Sequence, residues 1–166
     1  MLDLKKNLQK NKLPICDSTH YRQAIAECSR QRKLLLAYVQ SDLHPRTQSF
    51  ITGTLLDPSI VSIISEHFLI WPVNMTSTEG FQYYTEMGGL TFPFLTVNCR
   101  FSGKDRILRV IQGELTVKRF QEILRATITE NSIVIDTLRS YSSESRARDE
   151  IRKEVADELR KETIEN

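Results

Sequence analysis

Three cysteines (Cys16, Cys28, Cys99) and three histidines (His20, His44, His67) are the side chains of this 166-residue chain best suited to act as nucleophiles, acid–base groups or metal ligands. Their spacing limits what they can do. No two cysteines form a CxxC pair, which excludes a zinc ribbon and a dithiol motif. An odd number of widely separated cysteines fits small buried side chains in a reducing compartment better than a disulfide framework. No HExxH, paired-carboxylate spacing or ligand cluster surrounds a histidine. His44 is the one candidate acid or base, but it has no nucleophile partner, so a surface histidine is expected. There is no glycine-rich phosphate loop, and Gly88-Gly89 reads as a helix stop. The residues therefore predict a protein that is not an enzyme and carries no cofactor and no metal.

The rest of the composition agrees with an ordinary soluble domain. Apolar residues make up 40% and charged residues 27%, with a net charge of +2. A nucleic-acid protein would show a strong basic excess, so no nucleic-acid partner is expected. No apolar run approaches the ~20 residues that span a bilayer, so no transmembrane segment is expected either. A chain of this length can bury roughly 70% of its unfolded surface without a staple.

The elements that must position any site follow from periodicity. A helix is predicted from Thr19 to Lys33, capped by Ser18 or Thr19, with Tyr21, Ala24, Ile25 and Cys28 on its apolar face. Leu34–Val39 is a continuous apolar run, as in strands buried on both faces. Phe50, Ile51, Leu55 and Leu56 have helical spacing, and Asp57-Pro58 starts a further helix toward His67. Phe68–Val73 is a second strand, which Pro72 should leave short or bulged. Thr76 or Ser77 opens a helix through Phe81, Tyr84 and Met87. Phe94–Cys99 and Ile107–Ile111 are strands joined by a turn at Ser102–Asp105. Thr116 caps a last amphipathic helix through Ile128. Helical crossovers imply a parallel first pair of strands, and the short turn implies an antiparallel last pair. The fold class expected is α/β and thioredoxin-like: a mixed four-stranded sheet flanked by helices, followed by a charged C-terminal helix.

In that frame two places matter. The loop after the first strand is where oxidoreductases carry CxxC at a helix N-terminus. Here Leu43, His44, Pro45 and Arg46 occupy it without a cysteine, and they become a candidate peptide or partner loop. Pro93, before the third strand, is a candidate structural cis-proline. In redox enzymes that backbone edge receives a substrate peptide, and here it either keeps that role or serves structure alone. Lys104, Arg106, Arg109, Lys118 and Arg119 form a candidate anion patch. A single-thiol redox protein would need Cys28 or Cys99 exposed, with a low pKa.

The domains expected are a basic N-terminal tail at 1–18, the thioredoxin-like domain at 19–130, a linker at 131–143 and a charged helix at 144–166. The tail holds Lys5, Lys6, Lys10 and Lys12. Leu4 and Leu8 could make it a weak membrane-facing turn, but a frayed, solvated terminus is expected. In the linker, serines surround Tyr141. In the final helix, Ile151, Val155 and Leu159 form a stripe too narrow for core packing.

Taken together, Ala24–Cys28 with Arg32–Tyr38, Leu55-Leu56 with Ile60-Val61, His67–Trp71, Phe92–Leu95 and Val110–Gly113 resemble the UAS domain of UBX-family, Fas-associated-factor proteins. The charged run Ile151–Glu154 and Asp157–Arg160 is similar to the helix leading into the UBX domain there. The resemblance covers about residues 19–165. It implies a non-catalytic thioredoxin-like adaptor in ubiquitin-dependent, endoplasmic-reticulum-associated degradation. The location implied is cytoplasmic, at the periphery of that membrane. Partners implied are ubiquitin-pathway proteins and the valosin-containing AAA ATPase. Long-chain fatty acid held by a basic surface and self-association, here through the C-terminal helix, are implied as well. These 166 residues hold no UBX domain, ubiquitin-associated domain or membrane hairpin, so direct ATPase contact is not expected from them.

Overall fold

The computed structural model describes residues 2–165, without the side chains of residues 2, 3, 138, 139, 141–145, 162, 164 and 165. The chain forms two units, residues 1–131 and 132–166.

In the first unit the elements are α1 (Leu2–Lys10), α2 (Tyr21–Gln31), β1 (Leu34–Gln40), α3 (Thr47–Phe50), a π-helical turn (Ile51–Leu55), α4 (Pro58–His67), β2 (Phe68–Asn74), α5 (Thr78–Glu86), β3 (Phe94–Phe101), β4 (Lys104–Gln112) and α6 (Val117–Glu130). The sheet order is β2-β1-β3-β4, with β1 and β2 parallel and the other pairs antiparallel. This is the mixed four-stranded sheet the sequence implied. Every residue of β1 and β2 is buried, as their continuous apolar runs require.

Local chemistry sets most element ends. Asp57, Ser77 and Thr116 each accept a backbone N–H of their helix's first turn, and Pro58 sits at the first position of α4. The expected cap of α2 is different. His20 stands at its N-cap, and Glu79 of α5 accepts the Tyr21 N–H at 3.2 Å in place of Ser18 or Thr19. Ser102 and Gly103 both have positive φ, the geometry that joins β3 to β4 by a two-residue hairpin turn.

β2 runs seven residues in unbroken register with β1, neither short nor bulged. The reason lies at its outer edge. The Ile70 N–H donates to the Pro14 carbonyl and the Ile70 carbonyl accepts from the Cys16 N–H, each at 2.8 Å. Two residues on, the Pro72 nitrogen faces the same outer side, so no bond to β1 is lost.

The same bonds, with burial, correct the reading of residues 4–18. They are not a frayed tail: Leu4, Leu8, Leu13 and Cys16 are buried, and Lys5 pairs with Asp17 at 2.8 Å. The two leucines read as a weak membrane face pack inside the domain instead. A separate bulge, unrelated to Pro72, occurs in the β3–β4 pair, where Arg109 faces Val97, Ile107 faces Asn98 and Leu108 is extra.

The second unit is one helix, α7 (Ser132–Glu165). Its backbone is helical through 132–143, where a linker was expected. The side chains of 141–145, including Tyr141, lie outside the described residues. Ile151, Val155 and Leu159 are at least half exposed.

Candidate functional site

β1 ends at Gln40, and the next six residues form the loop that would carry the redox motif. Its bonding fixes its shape. Asp42 accepts from the Gln40 side-chain amide and from Asn74 Nδ2 (2.9 Å), tying the loop to the ends of β1 and β2. These bonds hold the Asp42 carboxyl below the usual aspartate range. The His44 N–H donates to the Ser41 carbonyl (3.3 Å), and Thr47 Oγ1 donates to that same carbonyl at 2.5 Å. His44 Nδ1 accepts the Arg46 N–H at 3.2 Å. Leu43 is left 93% exposed at the tip.

Facing the loop is the segment before β3. The Phe92–Pro93 peptide bond is cis, and Pro93 is buried. Gln112 Oε1 accepts the backbone N–H of Leu90 (2.8 Å) and of Thr91 (3.3 Å), while the Gly113 N–H donates to the Pro93 carbonyl (3.1 Å). The Phe92 ring stacks on Tyr84, 4.8 Å between centroids and 7° from parallel, and meets the His44 ring at 5.6 Å. Leu90 is 84% exposed. The result is a braced surface with His44 and Phe92 at its centre and two leucines standing into solvent nearby.

The thiols are elsewhere. Cys16, Cys28 and Cys99 are free and buried. Burial pushes the Cys28 and Cys99 thiols up, away from the thiolate a nucleophile needs. This geometry opposes the single-thiol reading. Among the described residues no group of three or more His, Cys, Asp or Glu side chains could hold a metal, and no helix is long and apolar enough to cross a membrane.

Where α5 and α2 pack on β3 lies a polar network. Tyr83 shares a hydrogen bond with Thr96 at 2.5 Å, and Asn98 Nδ2 donates to the hydroxyls of Tyr83 (2.8 Å) and Tyr21 (3.1 Å). Burial raises the Tyr83 phenol to about 12. Tyr21, Trp71 and Tyr83 pack ring against ring.

The five basic residues lie on β4 and α6. Arg109 is bound to Glu130 (3.1 Å) and Thr127 (3.3 Å), and Arg119 lies 3.7 Å from Glu122. Arg106 lies over the Phe101 ring at 5.3 Å. Lys104 is at the β4 start, and Lys118 is in the first turn of α6. Sequence reasoning missed the bracing side chains Gln40, Asp42, Asn74 and Gln112. It also missed Leu90, whose one local signal was an apolar residue just past a helix stop.

No family model matches the chain. It is 27% identical over 135 residues to plant UBX domain-containing protein 10 of Arabidopsis thaliana, covering 81% of this chain and 28% of that protein. It is 29% identical over 98 residues to human FAS-associated factor 2, covering 59% of this chain and 21% of that one. The match thus spans under a third of the length of these relatives. Among solved structures, a Thermus thermophilus thioredoxin superposes with a TM-score of 0.60 at 20% identity, over 64% of this chain and 82% of that one. The DsbH oxidoreductase does so with a TM-score of 0.54 at 11% identity, over 70% and 87%. These two show the fold alone. The chain is a homologue of UBX domain-containing protein 10 and FAS-associated factor 2, with a thioredoxin-like fold consistent with a UAS domain.

Proposed function

We propose that this chain is a non-catalytic adaptor module of the UBX type, and that Leu43–Arg46 with Phe92-Pro93 forms its partner contact. The observation that carries the reading is the separation of site and sulfur. The loop where a redox thioredoxin would react is thiol-free and presents Leu43, while every cysteine is buried. Dithiol exchange needs an accessible attacking and a resolving thiol, and neither is present at the loop. Homology to UBX and FAS-associated-factor proteins supports ubiquitin-pathway proteins as partners, and the reading extends this to ubiquitin-dependent degradation at the periphery of the endoplasmic reticulum.

Cross-linked purification of the tagged chain tests this. Ubiquitin-pathway proteins should be recovered, and Leu43→Ser with Leu90→Ser should lose them. Reductase activity toward insulin disulfides, with no such recovery, would overturn the reading. Self-association through Ile151, Val155 and Leu159 of α7 is the accompanying proposal, supported by their exposure. It predicts a sedimenting dimer that Leu159→Asp abolishes. The pairing of Arg109 with Glu130 and of Arg119 with Glu122 counts against fatty-acid capture through that patch.

A further inference from the structure

The two edges of the sheet are treated differently. The outer edge of β2 is closed by Pro14–Cys16 through two backbone bonds to Ile70. The outer edge of β4 has no strand or bridge against it among the described residues, over nine residues from Lys104 to Gln112. An open edge is a row of unpaired backbone donors and acceptors, the template that extended peptides use to add a strand.

We propose that the β4 edge docks an acidic, extended segment of a partner polypeptide. Charge selects the partner. Two acids beside this strand are already engaged: Asp105 holds Arg100 at 2.7 Å and Glu130 holds Arg109 at 3.1 Å. Lys104 and Arg106 have no acidic partner among the described residues, so the edge presents uncompensated positive charge. A second copy of β4 would bring the same two cations to the pairing, and the extra residue Leu108 interrupts the flat register that long self-pairing needs. Both features disfavour self-pairing, and neither opposes a short segment of opposite charge. Apolar contact is available too. Ile107 (51% exposed) and Val110 (41% exposed) lie opposite Asn98 and Thr96, so they share one face of the strand. A segment alternating acids with β-branched residues would set its apolar side chains beside them and its carboxylates near Lys104 and Arg106.

The test uses the full chain, isotopically labelled, titrated with acetyl-Glu-Val-Glu-Val-Glu-Val-amide and with its counterpart in which lysine replaces each glutamate. The acidic peptide should give saturable amide shifts across Lys104–Gln112, and the basic one none. The double variant Lys104→Glu/Arg106→Glu should bind the acidic peptide at least tenfold more weakly and gain affinity for the basic one. Both side chains are exposed, so an unchanged urea midpoint certifies the variant's fold. Leu43→Ser should leave this binding untouched, which separates it from the loop contact. Equal binding of the two peptides, shifts confined to residues 41–46 and 90–93, or no saturable binding would overturn the proposal.

Discussion

The surface around His44 and Phe92 and the interior around Trp71 and Tyr83 obey opposite rules. At the surface, Leu43 and Leu90 stand almost fully in solvent on segments braced by Asp42 and Gln112. In the interior, Trp71, Tyr83, Cys28 and Phe94 belong to one buried cluster, and its polar atoms reach hydroxyl or amide partners such as Thr96 and Asn98. The surface keeps its form through hydrogen bonds and the Phe92–Tyr84 stack, and it leaves Leu43 and Leu90 outside the core. The interior holds the fold, and it also holds the sulfur. A side chain's contribution to stability and its availability to a partner are therefore divided between the two regions.

The division is broken most severely from inside. Trp71→Ala should cost about 3–5 kcal/mol, since the indole is fully buried and its Nε1–H donates to the Ser18 carbonyl at 2.8 Å. A urea midpoint close to that of the wild type would show that the core lies elsewhere. Tyr83→Phe should cost about 1–3 kcal/mol, because it strips a hydroxyl from both Thr96 and Asn98. Equilibrium denaturation reads this as well.

At the border between the regions, Asp42→Asn tests the loop brace through its pH dependence. The folded carboxyl lies below its ordinary range because Gln40 and Asn74 donate to it. Its contribution is therefore fully present above the unfolded aspartate range and is lost as pH falls through the folded value. The gap between wild type and variant should be constant near neutrality and close below about pH 4. A gap that widens on acidification would contradict the brace. Smallest of all, Leu43→Ser and Leu90→Ser should leave stability within about 0.5 kcal/mol, while weakening partner capture. A large loss of stability would move these leucines from the surface class to the core.

What the sequence made legible follows the range of the forces involved. Asp57, Ser77 and Thr116 announced their helices because a cap is a contact within three residues. β1, β2 and β3 were legible because a short, continuous apolar run between polar segments suits a strand buried on both faces. Glu79 capping α2 was not legible, since the partners are 58 residues apart. The burial of Leu4 and Leu8 was hidden by the lysines around them. Pro72 was misread because its cost depends on which way its nitrogen points, and that direction is set by pairing with β1. At the site, the absence of cysteine from residues 41–47 and the place of Pro93 could be read directly, whereas Gln112 and Asn74 join the site only when the sheet folds.

The most direct test of the division between site and sulfur is the rate at which native thiols react with an aromatic disulfide reagent at neutral pH, followed by mass spectrometry to locate the label. Slow reaction of Cys16, Cys28 and Cys99, limited by unfolding and released by denaturant, is the predicted result. Rapid labelling of any one of them in the folded chain, accompanied by turnover of a disulfide substrate, would contradict it.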